Sequence, residues 1–254
     1  MKFLRDTWLV FQRQTLLLVR NPVWVTVGII QPLFYLLLFA PLLKPALSRP
    51  GQVLTDAQTY RIFVPGILVM LAMFMGFSGF GLIAELRAGI IERSRVTPVS
   101  RVALLLGRTL RDVASLLFQA TVVTLLAVAF GLRANMTDVV LAFLLVALMA
   151  MFMASIGYAL GLKLRSEDAL APLLNMFVVP IMLLSGILLP LTLAPLWLQR
   201  VADWNPFSWG VEASRALFQG DRGSDFIWQA LLILGPLTAL AVIVSSRAFA
   251  KSVR

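Results

Sequence analysis

The side chains able to do chemistry gather in one insert, ELRAGIIERSRVTPVSR at Glu85–Arg101, which sets four arginines and two glutamates between long apolar runs. It is the one strongly basic segment between two long apolar runs, and the rest of the chain is expected to serve it. Other reactive equipment is missing. Histidine is absent, which removes the commonest metal ligand and general base, and so is cysteine, which removes thiolate chemistry and any disulfide framework. No GxxxxGK[ST] phosphate loop occurs, the serines have no histidine partner, and no serine and lysine lie together at membrane depth. The glycines of MLAMFMGFSGFG (Met70–Gly81) lie inside an apolar span, without the strand and helix N-terminus that a phosphate cradle needs. All twelve acids fall in loops or near span ends, which disfavours transport driven by an ion at the midplane. Energy is therefore expected from a partner at the cytoplasmic face.

The elements that position this insert follow from hydropathy. Of 254 residues 60% are hydrophobic and 13% charged, against about 25% charged in soluble domains. A bilayer span needs ~20 apolar residues, and six runs qualify, giving spans at about 22–43, 62–84, 102–130, 139–162, 171–190 and 226–246. The runs are continuously apolar rather than alternating, so the expectation is an all-α polytopic membrane protein and not a barrel. With the N-terminus inside, 15 of the 22 Lys and Arg residues fall in inner segments and 7 in outer ones, which places both termini in the cytoplasm. The formal charge of +10 thus reads as topology rather than as nucleic-acid binding.

Residues 2–20 precede the first span and gather Lys2, Arg5, Asp6, Arg13 and Arg20 on about a third of a helical wheel, the pattern of an amphipathic helix in the inner interface. Met1–Arg20 lacks the short apolar core of a cleavable signal, so the first span is expected to direct insertion. Gln31-Pro32 should kink that span. Gly76, Gly79 and Gly81 in the second span, and Ala147, Ala150, Ala154, Gly157 and Gly161 in the fourth, are small-residue seams for close helix approach. Glu85–Arg95 can form a short helix, Thr97-Pro98 ends it, and Ser100 can cap the next. Arg101, Arg108, Arg111, Asp112, Ser115 and Gln119 share one arc of the third span, which should face protein or water, with Arg108 or Arg111 pairing Asp112. Residues 191–225 read as short half-helices in the outer leaflet, with Trp197, Trp204 and Trp209 at the interface and Arg200, Glu212 and Arg215 on the wet side.

Three stretches together, the basic amphipathic N-terminal helix, GIIERSRVTPVSRVALLLGRTLRD at 89–112 and NPFSWGVEASRALFQGD at 205–221, resemble the membrane subunit (permease) of type-2 ABC exporters, particularly the daunorubicin-resistance branch. The resemblance covers essentially the whole chain. It implies a transport subunit that is not itself an enzyme and binds no cofactor, seated as a homodimer or related pair on two ABC ATP-binding subunits that use ATP and Mg. It maps a coupling helix to about Glu85–Arg95, so Glu85, Arg87, Glu92, Arg93 and Arg95 are the candidate ATPase contacts, with Glu92 and Arg93 foremost. It likens Lys2–Arg20 to an elbow helix and 191–225 to an extracellular cap.

Substrates of the family include hydrophobic drugs and lipid-linked glycans. A mainly apolar path lined by the first, second and fifth helices, with Gln31, Phe34, Met73, Phe77 and Asn175 as candidates, would suit lipophilic or amphipathic solutes. Export of a drug or antibiotic and export of a lipid or lipid-linked glycan both fit. An ion-coupled carrier or channel and a non-transporting scaffold are the readings from other classes. The expected location is the plasma (inner) membrane, of bacterial type, with membrane lipids as neighbours and no nucleic-acid partner.

Overall fold

The chain is described by a computed structural model over residues 2–20, 22–39, 41–42, 45, 55–90, 100–187 and 191–252, all of whose regular elements are helical. Helix α1 is Lys2–Val19, and α2 is Pro22–Phe34, continued as a π-helical turn over Tyr35–Phe39. The widened turn follows Pro32 inside α2, where a missing N–H and the ring disturb the hydrogen-bond ladder. Helix α3, Asp56–Phe74, passes through a 3₁₀ turn at Met75–Ser78 into α4, Gly79–Arg87. Then come α5 (Arg101–Ala129), α6 (Met136–Leu164), α7 (Glu167–Leu184), the short α8 (Leu196–Ala202), α9 (Pro206–Gln219) and α10 (Asp225–Ser252).

Among the described residues, five helical stretches are long and apolar enough to cross a membrane: Asp56–Arg87, Arg101–Ala129, Met136–Leu164, Glu167–Leu184 and Asp225–Ala250. They match the second to sixth expected spans. The first, expected at 22–43, is a shorter apolar helix over Thr26–Phe39 among the described residues.

The sequence start of α3 is a capping box, in which Thr55 accepts from the Gln58 N–H and the Gln58 side chain accepts from the Thr55 N–H. From Phe63 to Met73 every residue of α3 is buried. A helix apolar all round belongs at a bundle's centre, and α3 packs there against α5, α6 and α9. The main core joins Phe63, Ile67, Met70 and Met73 to Leu116, Val123, Met149, Val211 and Phe218.

Lipid is as apolar as leucine, so helices in a membrane associate through close packing and interhelical hydrogen bonds. The two small-residue seams meet for this reason. A methyl group at Gly157 would stand 1.9 Å from the Gly76 carbonyl oxygen, and one at Gly79 would stand 2.4 Å from the Gly157 carbonyl oxygen. The 3₁₀ turn thus lies backbone to backbone on α6. Gly81 is not part of the seam, since a Cβ there meets nothing within 4 Å; two residues beyond Gly79, it points away from α6.

Candidate coupling site

Glu85 and Arg87 occupy the last turn of α4. The expected helix Glu85–Arg95 is therefore corrected at its start: these residues extend the second span, and the chain breaks at Ala88–Gly89, where Gly89 adopts φ +68°, the left-handed conformation that ends helices. Glu92, Arg93 and Arg95 lie outside the described residues. On the far side of the insert Ser100 caps α5 as expected, its Oγ accepting from the Ala103 N–H at 3.1 Å.

The Glu85 carboxylate joins three helices. Gln14 of α1 donates its Nε2 to Glu85 Oε1 at 3.1 Å, and the Arg108 guanidinium of α5 pairs with Glu85 Oε2. One turn deeper, Arg111 Nη2 lies 2.9 Å from Asp112 Oδ1, and Tyr158 of α6 donates its hydroxyl to Asp112 Oδ2. Arg108, Asp112 and Gln119 are all buried, so the polar arc of α5 faces protein. Arg111 is the partner of Asp112, and Arg108 is drawn instead to Glu85. Asp112 lies not at a span end but well inside the 29-residue α5; burial at that depth is sustained by two charge or hydroxyl partners.

Helix α1 is seated on this assembly. Its Asp6, Thr7 and Gln14 are buried, and Gly107 of α5 admits it so closely that a Cβ there would lie 2.7 Å from Val10 Cβ. Trp8, Leu9, Leu16 and Leu17 stay exposed.

Two further ties hold the flanks of the insert. Arg87 Nη1 reaches Glu167 Oε1 of α7 at 3.5 Å, with both side chains well exposed, so this pair contributes little. Arg101 donates to the Ala250 carbonyl of α10 at 2.7 Å. The insert is thus rooted in α1, α5, α7 and α10 at once.

At the opposite end the 205–221 motif explains itself. Asn205 caps α9 by accepting from the Phe207 N–H at 3.0 Å, Pro206 takes the first helical position, and Gly220 closes the helix at φ +86°. The Asn205 amide also donates to Ser185 Oγ at 2.8 Å and to the Ile181 carbonyl at 3.0 Å, which ties α9 to the end of α7. Arg215 was expected on the wet side and is buried instead: it donates to the carbonyls of Ile62 (3.1 Å) and Gly186 (2.5 Å) and pairs with Glu212 at 2.7 Å. Backbone carbonyls freed at the end of α7 supply the acceptors that make this burial tolerable. Burial pulls the Arg215 pKa down, and the Glu212 carboxylate opposes that shift. Arg200, Trp197 and Trp204 are exposed as expected.

The candidate path residues fall in different settings. Gln31 and Phe34 lie on the exposed face of α2, and Asn175 on the exposed face of α7. Phe77 is half-buried, stacks on Phe80 at 5.8 Å, and packs with it on Ile83, Leu170 and Leu174. Met73 is inside the main core. Gln14 and Tyr158 were not singled out from sequence. Tyr158 did carry a signal, since a phenol inside an apolar span needs a partner for its hydroxyl.

Comparison with known proteins bears on the same residues. The ABC-2 type transporter family model matches residues 5–218, from α1 through the insert to α9. The daunorubicin resistance ABC transporter permease protein DrrB1 of Streptomyces coeruleorubidus is 26% identical over 84% of this chain and 74% of its own length. A putative transport permease, ycf38, of Cyanophora paradoxa is 27% identical over 85% of this chain and 75% of its own. The probable multidrug ABC transporter permease YbhR of Escherichia coli K12 is 23% identical over 75% of this chain and 52% of its own. A bundle of apolar spans, a basic insert anchored at both flanks and a family match over most of the length converge on one assignment: the chain belongs to the ABC-2 type transporter family, as a multi-pass membrane permease.

Proposed function

We propose that this permease exports hydrophobic or amphipathic compounds, of the drug or antibiotic class, using ATP hydrolysed by two separate subunits docked on the Glu85–Arg101 insert of a permease pair. The observation that carries this reading is the Glu85 junction. A push on the insert reaches α4 directly, α5 and α1 through Arg108 and Gln14, and α6 through Asp112 and Tyr158. Rigid-body closure of ATP-binding subunits is the kind of motion such a packed junction passes on rather than absorbs. The Gly76–Gly157 seam lies on the same route, where the 3₁₀ turn interrupts the span.

For the substrate, support comes from the aromatic group of Phe74, Phe77 and Phe80 and from the exposed face carrying Gln31 and Phe34. Neither bears a fixed charge, as suits lipophilic solutes. Lipid or lipid-linked glycan export remains the second reading, since an amphipathic route serves both.

The test is reconstitution of the permease with its ATP-binding subunit in proteoliposomes, with uptake of a fluorescent lipophilic drug and phosphate release read together. Wild type should show uptake and drug-stimulated hydrolysis. Glu92→Ala with Arg93→Ala should assemble and hydrolyse ATP while uptake falls at least tenfold. Unchanged uptake with normal assembly would refute the coupling role of the insert.

A further inference from the structure

At the end of the bundle opposite the insert, the start of α3, the α5–α6 turn and the α9–α10 turn border an open pocket of about 490 Å³, within the roughly 300–1,000 Å³ of small-molecule sites. Three arginines, Arg61, Arg133 and Arg222, line it against one carboxylate, Asp138. That carboxylate is already engaged, being paired with Arg222 Nε. Arg61 is held through its Nε by the Arg133 carbonyl at 2.7 Å. Both guanidinium groups are thus fixed through their inner nitrogen, the geometry in which the outer fork meets an oxyanion.

The helix ends reinforce this bias. Asn135 caps α6 at the pocket wall by accepting from the Thr137 N–H at 3.1 Å, so the positive end of a 29-residue helix points there. The end of α9 also borders the pocket, with its Ala216 and Leu217 carbonyls taken by the Asp221 and Gly220 N–H groups. The formal balance of the lining is +2 (three arginines less one aspartate).

From these observations we infer that the pocket is an outer-face binding site for a phosphate oxyanion. Two sources present that group from this side: the headgroup of an outer-leaflet phospholipid and a free phosphate ester in solution. The site is independent of the coupling insert and of the drug path.

The test uses the purified full chain in a neutral maltoside detergent at low salt. Two probes share a glycerol phosphate group: dihexanoyl phosphatidylglycerol, which carries acyl chains, and glycerol 3-phosphate, which does not. Isothermal titration should give saturable binding that weakens as sodium chloride rises. Binding of both probes identifies a site for the phosphate itself, and binding of the lipid alone identifies a headgroup site. Arg61→Gln with Arg133→Gln should weaken binding at least tenfold. Arg133→Gln alone, an exposed side chain whose substitution keeps the carbonyl that holds Arg61, should weaken it at least threefold and shows the effect without disturbing the fold. Absence of saturable binding of either probe to wild type, or equal affinity in wild type and both variants, would overturn the proposal.

Discussion

The seam between α6 and the 3₁₀ turn makes a quantitative demand on Gly157. A Cβ at that position would stand 1.9 Å from the Gly76 oxygen and 2.8 Å from its carbon, whereas real Cβ atoms keep at least 3.0 Å from such neighbours. Gly157→Ala therefore requires the two backbones to part by at least 1.1 Å (3.0 less 1.9). Both contacting atoms are main chain, so no rotamer change relieves the clash. Overpacking of this kind costs about 1–3 kcal/mol, and a rigid contact falls in the upper half of that range. For a chain of this size 1 kcal/mol shifts Tm by roughly 2–4 °C, so Gly157→Ala should lower it by about 4–12 °C. Gly81→Ala is the internal control, because a methyl there meets open space and alanine favours a helix by about 1 kcal/mol over glycine; its Tm should stay or rise. The assay is thermal unfolding in a mild detergent, followed by tryptophan fluorescence. A Gly157→Ala protein as stable as wild type, or a Gly81→Ala protein destabilised as much, would refute the reasoning about the seam.

Two further outcomes follow from the buried ion pairs. Glu85→Ala leaves the Arg108 guanidinium, 8% exposed, without its carboxylate, and removing one member of a buried pair costs about 3–5 kcal/mol; Glu85→Ala with Arg108→Leu should recover most of that loss in the same unfolding assay, and no recovery would show that the pair is not the cause. Arg215→Lys keeps the charge but cannot reach the carbonyls of Ile62 and Gly186 together with Glu212; loss of hydrogen bonds to a charged group, at about 1.5–3 kcal/mol each, should expose the α8–α9 segment to protease, and wild-type protease resistance would contradict this.

What was legible in the sequence is what local pattern encodes. Apolar length placed five of the spans, and the glycines of the second span together with the three- and four-residue spacing of Ala150, Ala154, Gly157 and Gly161 announced the seam before its two halves were known to meet. The polar arc of α5 was equally readable, because Arg108, Asp112 and Gln119 recur at helical spacing. Partners distant in the chain were not. Gln14 lies 71 residues from Glu85 and Tyr158 lies 46 from Asp112, and no helical wheel registers such pairs. Arg215 looked like a surface residue because its acceptors are backbone carbonyls, which leave no trace in composition. The break at Gly89 was missed because a continuous run of helix formers masked one glycine at φ +68°.

The central claim, that the insert is the docking point for an ATP-binding subunit, is tested most directly by cross-linking. The chain has no cysteine, so Arg93→Cys introduces a unique attachment point for a maleimide-linked photo-crosslinker in membranes that also contain the ATP-binding subunit. Arg200→Cys, at an exposed position of α8, serves as the control. The expected result is a product from position 93 that contains the ATP-binding subunit, with none from position 200. A subunit that co-purifies with the permease yet gives no product from position 93, or equal product from both positions, would contradict it.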